Sequence, residues 1–350
     1  MSTFSKANPF IATLKERYLL TKKGSSKETY HIVLNASLPF NVGSSIGVFA
    51  QNDPKFVKEY LDALHATGNE LITESRSGTQ MTLLQFLASK ANLSRLTSGF
   101  LKLSPHKHYE PIAKEYIASH DPLDFLRENP QLPLQDVCNQ FAPLLPRFYS
   151  IASSHTVYPN EIHLTVALFK YNHGKEMRYG VASHYLCHLA ELNTQIPIYV
   201  QPSTHFFPSP PDVPMIMIGP GTGVAPFRAF LQEHKGKNWL FFGERNKAAD
   251  YFYQHEFENN PNLRLSLAFS RDQAEKIYVQ HKMLEEARDL WQWIQNGAYL
   301  YICGDADHMA KDVQHALHQI AMQQGNMTED EAKAYFKKLK KEDKFQLDVY

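Results

Sequence analysis

The sequence predicts two domains built on different sheets: an antiparallel β-barrel interrupted by a helical insertion, then an α/β domain around a parallel sheet. Three observations carry this prediction. Period-two, β-rich stretches flank a long segment whose apolar residues recur at three and four. Past a proline-dense break, apolar runs alternate with amphipathic helical patterns. The 350 residues are length enough for two domains.

Residues 9–50 read as strands and turns, with "TYHIVL" (Thr29 to Leu34) rich in β-formers and "SIGVFA" following a glycine turn. From Pro54 "FVKEYLDALHA" repeats as a helix does, and "TLLQFLASKA", "YEPIAKEYIAS" and "PLDFLREN" continue to about Ala142. At Arg147 strands return as "RFYSIASS", "EIHLTVALFKY" and "IPIYVQP". This places a first domain over 1–210, with its helical insertion at about 52–142, and a second over 211–350. The boundary is the structure-breaking "HFFPSPPDVP". Beyond it "MIMIG", "WLFFG", "LRLSLAF" and "AYLYICG" each precede a helical pattern. Continuous apolar strands of this kind lie in parallel sheets covered on both faces.

Charge and cysteine content narrow the function classes. Thirty-six basic and 36 acidic side chains cancel, so no global basic field points to nucleic acid. The three cysteines are far apart with no CxxC spacing, which argues against a disulfide framework and fits a reducing compartment. The amino terminus lacks a signal-peptide pattern, and no apolar run is long enough for a membrane span. A cytoplasmic protein is expected, with no membrane or nucleic-acid partner.

"MIMIGPGTGVAPFRAF" sets Gly219, Gly221, Thr222 and Gly223 between a buried strand and a helix, where bare backbone N–H groups can meet a phosphate. The spacing is GxGxG, and a tight structural turn is the plain alternative. An acid near the end of the second strand would hold ribose hydroxyls; Glu244 lies there, followed by Arg245. "SRDQAEKIYVQ" then gathers Ser270, Arg271, Lys276 and Tyr278 at the third strand's end. A guanidinium fork, a point charge and hydroxyls suit a ribose 2′-phosphate, hence NADPH over NADH. A solvated loop is the alternative there.

"RFYS" offers Arg147 and Tyr149 on one face of a strand and Ser150 on the other. An anionic linker and a flat ring suit such a pair, as does a half-buried edge strand with no ligand. "YGVASHYL" supplies Gly180 and Ser183, resembling a helix N-cap at a second phosphate-friendly turn. Cys303, at the end of the last long strand, fits a small core hydrophobe by position alone. Asp312 reads as a helix-surface acid. Cys187-His188 lacks partners at metal spacing, so no metal is assigned. The chain's last six residues, "FQLDVY", follow a charged stretch and read as a final edge strand.

In order and spacing, "RFYSIASS", "YGVAS", "MIMIGPGTGVAPFRAF", "NWLFFGER", "SRDQAEKIYVQ", "YICGDADHMAKDV" and "DVY" resemble the ferredoxin–NADP reductase-like half of the diflavin reductase family. Within that family the resemblance is to the flavoprotein (alpha) components of NADPH-dependent sulfite reductases. It implies a two-domain ferredoxin–NADP reductase-like fold, with the helical insertion as connecting domain, and FAD and NADPH as cofactors. Arg147 would contact the FAD pyrophosphate, Phe148 and Tyr149 would lie along the isoalloxazine, and Ser150 near its reactive nitrogen. Thr165, Val166, Ala167 and Tyr171 would line the flavin, and Gly180, Val181, Ala182 and Ser183 its pyrophosphate. Gly221, Thr222, Gly223, Arg245, Ser270, Arg271, Lys276, Tyr278, Gln280 and Asp312 would bind NADPH. Cys303 and Asp348 would join Ser150 along the hydride path, and Tyr350 would cover the flavin ring.

Residue 9 already begins the reductase-like half, so no amino-terminal flavodoxin-like FMN domain is expected, and the chain reads "HFFPSP" where relatives have an arginine. The implied function is hydride transfer from NADPH to FAD, with electrons passed to an external acceptor protein. A flavodoxin, a ferredoxin-like carrier and a haemoprotein subunit are the options. Two other readings stand beside it: a stand-alone flavodoxin or ferredoxin–NADP reductase, and a non-catalytic subunit that binds a partner through the helical insertion. A dehydrogenase without flavin leaves "RFYS" and "YGVAS" unexplained.

Overall fold

A computed structural model describes residues 4–104, 109 and 112–350. The chain divides into two compact units, Met1–Gly47 with Phe148–Leu168 and Glu191–Tyr350, and Val48–Arg147 with Phe169–Ala190.

The first unit holds the two large sheets, save the strand-end residues Val48 and Arg147. In the antiparallel sheet the strands run edge to edge as Arg147–Ser150, Ser45–Val48, Gln195–Gln201, Phe10–Leu19, Thr29–Asn35 and Glu161–Ala167. The two edges meet through a bridge between Ile151 and Leu164 and the bond Ala152 N–H to His163 O at 2.7 Å. The sheet thereby closes into the expected barrel and leaves no long open edge. Alternation sends Leu14, Ile32, Leu34, Leu164, Val166 and Ile198 into the interior, each fully buried. His31, His163 and Thr165 face the other way yet are also buried.

The second sheet is parallel, ordered Leu263–Phe269, Asn238–Glu244, Met215–Ile218, Tyr299–Gly304 and Phe345–Val349. Its three central strands are buried on both faces, which is why they read as unbroken apolar runs. Ile216, Ile218, Trp239 and Phe241 pack on one side with Leu290, Trp291 and Leu317. Met215, Met217, Leu240 and Phe242 pack on the other with Phe227, Phe230 and Tyr301. Each such side chain contributes about 1.5–3 kcal/mol by leaving water.

Three local details differ from the sequence expectation. The segment from Tyr251 forms a helix only over Gln254–Glu258, because Tyr253 takes a left-handed conformation, φ 53°, with its hydroxyl on Thr165 Oγ1 (2.7 Å) and His31 Nδ1 (2.9 Å). "VQHKMLEEARDLWQWI" breaks into Val279–Glu285 and Ala287–Gln295 at Glu286, whose carboxylate takes Arg264 and Ser266. A further helix, Glu329–Lys341, starts from a reciprocal cap between Thr328 and Glu331.

A buried polar network joins the barrel to the α/β layers within this unit. Arg228, on helix Ala225–Glu233, donates to Ala152 O at 2.7 Å and to Glu256 Oε2 at 2.8 Å. It also lies 3.3 Å from His163 Nδ1. His163 in turn meets Glu161 Oε2 at 2.8 Å and His31 Nε2 at 3.2 Å. Burial, with the Arg228 charge behind it, drives His31 down to about 2, so this imidazole stays neutral.

The second unit is helical over Pro54–Ala63, Leu83–Ser89, Ser98–Leu103, Ala113–Ser119, Pro122–Glu128 and Leu134–Gln140. Glu110 and Pro111, within the helical reading above, lie outside the described residues. The segment is not helical throughout: Leu71–Thr73 and Gln80–Thr82 form a hairpin whose turn is held by Glu74, accepting from Arg76 and Ser77 N–H. Tyr60, Leu87, Phe100, Phe125 and Phe141 fill the core of this unit. A second hairpin, Lys170–His173 with Glu176–Tyr179, belongs to it too. No helix among the described residues is long and apolar enough to cross a membrane.

Replacing Arg228 by Met strips the donor from the buried Ala152 carbonyl, an expected cost of about 2–4 kcal/mol. Glu256→Gln, at a partly exposed partner, should cost under about 1 kcal/mol. Urea midpoints of the two variants check the difference.

Candidate functional site

The glycine loop leaves the buried strand Met215–Ile218 and passes through one 3₁₀ turn, Gly221–Val224, into helix Ala225–Glu233. Two of its glycines are required. Gly221 has φ +59°, and a Cβ on Gly223 would lie 2.1 Å from the Cys303 carbonyl oxygen. The loop backbone is therefore pressed onto the end of strand Tyr299–Gly304.

Beside it opens a cleft of about 730 Å³ at the carboxyl ends of the strands, where open α/β sheets take their ligands. Gly221, Arg245, Ser270, Arg271, Lys276, Tyr278, Gln280 and Asp312 all line this cleft, so eight of the residues expected to bind a nucleotide converge on one space. Backbone bonds from Ser270 N–H to Glu244 O (2.9 Å) and Arg271 N–H to Arg245 O (2.8 Å) extend the strand pairing and fix the cationic pair. Gln280 donates to Asp312 Oδ2 at 3.2 Å, so this exposed helix acid also lines the cleft. Tyr278 is 43% exposed and presents a ring at the rim.

The parallel register pairs Cys303 with Asp348. Ser150, at the end of strand Arg147–Ser150, donates to Asp348 Oδ2 at 3.0 Å, and the Cys303 thiol lies 3.8 Å from the same oxygen. Burial raises Asp348 above the usual carboxylate range, with the Ser150 and Cys303 bonds pulling partly back. Burial, and then the Asp348 charge, push the Cys303 thiol well up, so it remains an S–H at neutral pH. Cys303 packs in the core, and its sulfur reaches this polar group. The edge-strand reading of "FQLDVY" is met by Phe345–Val349. Tyr350 follows, with its N–H on Gly304 O (3.1 Å) and its hydroxyl 3.0 Å from Thr222 Oγ1.

The remaining expected residues lie as follows. In the first unit, Phe148 is 46% exposed with its ring edge-on to Tyr199, and Tyr149 is half-buried. Thr165 is buried and bonded to Tyr253, Val166 points into the barrel, and Ala167 is exposed. In the second unit, Arg147 is exposed, and Tyr171 stacks with Phe169 at 5.8 Å. Helix Val181–His184 is capped by Gly180, not by Ser183. The Ser183 hydroxyl is turned inward, donating to Gly180 O (3.0 Å) and accepting from Phe169 N–H (3.1 Å), which shapes the turn.

Sequence reasoning missed Ser26, Lys27, Asp305 and His308. Lys27 lines the cleft and reaches Glu244 Oε1 at 2.6 Å, while Ser26 Oγ accepts from Arg245 at 2.6 Å. They sit in a hairpin loop more than 200 positions earlier, so no spacing pattern points to them. Asp305 accepts from His308 and Met309 N–H at the start of helix Met309–Gly325, a signal readable in "GDADHM". In the second unit Asp121, Asp124 and His173 bring ligand-type atoms within 4.8 Å. A reciprocal helix cap between Asp121 and Asp124, the His173–Asp124 contact at 2.8 Å and Arg178 at 4.0 Å account for that cluster without an ion.

Residues 79–185 match the family described as FAD binding domain, and residues 217–315 that described as oxidoreductase NAD-binding domain. The chain is 39% identical to the sulfite reductase [NADPH] flavoprotein alpha-component of Shewanella sp. (strain ANA-3), over 100% of this chain and 62% of that protein. The protein of the same description from Bacillus subtilis (strain 168) is 38% identical over the same shares. The chain thus spans under two thirds of the length of these curated relatives. Along its whole length it is a homologue of the sulfite reductase flavoprotein alpha-components, carrying an FAD binding domain followed by an oxidoreductase NAD-binding domain.

Proposed function

We propose that this chain is an NADPH-dependent FAD oxidoreductase that passes electrons to a separate acceptor protein. The observation that carries the proposal is the convergence of Ser150 and Cys303 on one carboxylate oxygen of Asp348, at 3.0 and 3.8 Å. The designation alpha-component in the relatives fits delivery to a partner component. The acceptor is a flavodoxin, a ferredoxin-like carrier or a haemoprotein subunit. A cytoplasmic setting fits three buried cysteines that form no disulfide among the described residues. The functional domains we propose are 1–210 and 211–350, with the insertion at about 52–142.

The residues present fit both cofactors. A cleft with Arg245, Arg271 and Lys276 beside a glycine loop suits a phosphorylated nucleotide. In the second unit the Gly180–Ser183 turn and exposed Arg147 suit a pyrophosphate; in the first, exposed Phe148 and half-buried Tyr149 suit a flat ring system. Bound FAD would supply hydride acceptance and one-electron release. Gly221 and Thr222 would hold the nicotinamide nucleotide by backbone N–H groups, with Gly223 letting the loop close down, and Arg271, Lys276, Ser270 and Tyr278 would hold its 2′-phosphate. Ser150 would offer its hydroxyl to the flavin edge. Asp348 would hold negative charge where positive charge develops on the nicotinamide. Cys303, a protonated thiol, would fix the carboxylate and help position the ring. Tyr350 would occupy the ring face until nicotinamide displaces it.

Purified protein should be yellow, and NADPH should bleach its FAD under anaerobic conditions. A colourless protein unable to take up FAD would leave the non-catalytic subunit standing.

Asp348→Asn should slow stopped-flow flavin reduction about 10²-fold with a smaller effect on NADPH affinity. The role requires the carboxylate ionised, and the folded value is raised, so wild-type rates should climb through an acid limb above the usual carboxylate pH and level off beyond it. The Asn variant should lose that limb. A raised folded pKa also means that ionised Asp348 costs stability, so the variant should melt no lower than wild type at neutral pH.

Tyr350→Ala keeps the backbone bonds to Gly304 and Ala306 but removes the ring and the Thr222 contact. Nicotinamide affinity should rise and the preference for NADPH over NADH should shrink, read as the ratio of kcat/KM values. A change confined to the melting temperature would make the tail an anchor only.

A further inference from the structure

Glu244 ends the second strand of the parallel sheet, Asn238–Glu244, at the floor of the nucleotide cleft. A carboxylate at that point ordinarily holds ribose hydroxyls and opposes a ribose phosphate. Here it is occupied from outside the α/β layers. Lys27 Nζ lies 2.6 Å from Oε1, and the Arg245 N–H bonds to Oε2 at 2.9 Å. The Glu244 side chain is 4% exposed and that of Lys27 34%, so the carboxylate is shut in and the ammonium closes it off. A Cβ on Gly221 would lie 3.3 Å from Oε1, which places the same oxygen against the glycine loop.

The loop that brings Lys27 is fixed in place. Lys22 N–H bonds to Ala249 O at 2.7 Å, and Lys27 N–H to Ser25 Oγ at 3.0 Å. Ser26 Oγ accepts from Arg245 at 2.6 Å and from Arg271 at 3.4 Å, so one hydroxyl draws both guanidinium groups to the same side of the cleft.

We infer that Lys27 determines coenzyme choice by neutralising Glu244, so that a ribose 2′-phosphate meets a cationic wall and no free carboxylate. The inference rests on the NADPH reading above. A buried carboxylate stripped of its partner charge acts through a poorly screened medium on any phosphate nearby. Lys27 works through Glu244, with Arg245, Arg271 and Lys276 left to bind the phosphate. If Lys27 instead bound the phosphate itself, Glu244 would be incidental. The two roles give opposite results for the double variant.

The test is equilibrium binding of adenosine 2′,5′-bisphosphate and of 5′-AMP to the full chain by calorimetry. It needs no flavin turnover. Wild type should favour the bisphosphate. Lys27→Met should weaken the bisphosphate about tenfold or more while changing AMP little. Glu244→Gln alone should stay within about threefold of wild type, and Lys27→Met/Glu244→Gln should return most of the lost affinity. A double variant as weak as Lys27→Met overturns the inference and makes Lys27 a phosphate ligand. Unchanged bisphosphate binding in Lys27→Met overturns it too. Should Lys27→Met not fold, the double variant, which buries no unpaired charge, decides by itself: affinity near wild type supports the inference, and a large loss overturns it. A wild-type protein that binds both probes equally fails differently, bringing down the NADPH reading and the inference together.

Discussion

The contact between two pieces of backbone governs this molecule's chemistry. The Cys303 carbonyl sits where any side chain on Gly223 would have to go, 2.1 Å from an ideal Cβ. Close-packed interiors do not yield by the ångström that even a methyl group would need. The loop from Met215–Ile218 must therefore cross the end of Tyr299–Gly304, its parallel neighbour, with Met217 beside Tyr301. Thr222 comes within reach of the Tyr350 hydroxyl. The tail strand then adds to the far side of Tyr299–Gly304 in the one register that sets Asp348 against Cys303. Shifting that register by one residue would turn the carboxylate to the opposite face.

A second anchor holds the other contributor. Ser150 comes from the barrel, and a hydroxyl at 3.0 Å from Asp348 tolerates little drift. Arg228 supplies the restraint: it lies on the helix that the glycine loop opens, and it grips the Ala152 carbonyl two residues beyond Ser150. The helix that carries the nucleotide loop and the strand that carries the hydroxyl are thus coupled through one buried guanidinium. The neutral histidines around it fill the polar contacts without adding charge to the same volume.

Much of this was legible in the sequence where a local rule applies. The three central parallel strands announce themselves as apolar runs because both faces are covered, and the glycine loop because no other residue fits its geometry. Helix Glu329–Lys341 had its signal too, in the Thr328–Glu331 cap, hidden among charges that resemble a solvated tail. The hairpin at 71–82 gave little, since its strands are three residues long. What no window could reach is long-range. Cys303 and Asp348 meet by register, Ser150 joins them from another sheet, and Lys27 meets Glu244 across 217 positions. For these, only the resemblance of whole motifs in order supplied the first two, and nothing supplied the third.

Asp348 and Cys303 also show how one burial can serve two groups. Removing water raises both, but from starting points far apart, so the carboxyl ionises well before the thiol can. At neutral pH the thiol keeps its proton, so the pair is never two anions. Each state supports the other: the negative oxygen keeps the sulfur protonated, and the S–H and the Ser150 O–H steady that oxygen. A thiolate there would set a second negative charge against the carboxylate in a buried volume. With the proton held on sulfur, Cys303 is confined to packing and hydrogen bonding, and Asp348 is left as the single charge that this cluster presents.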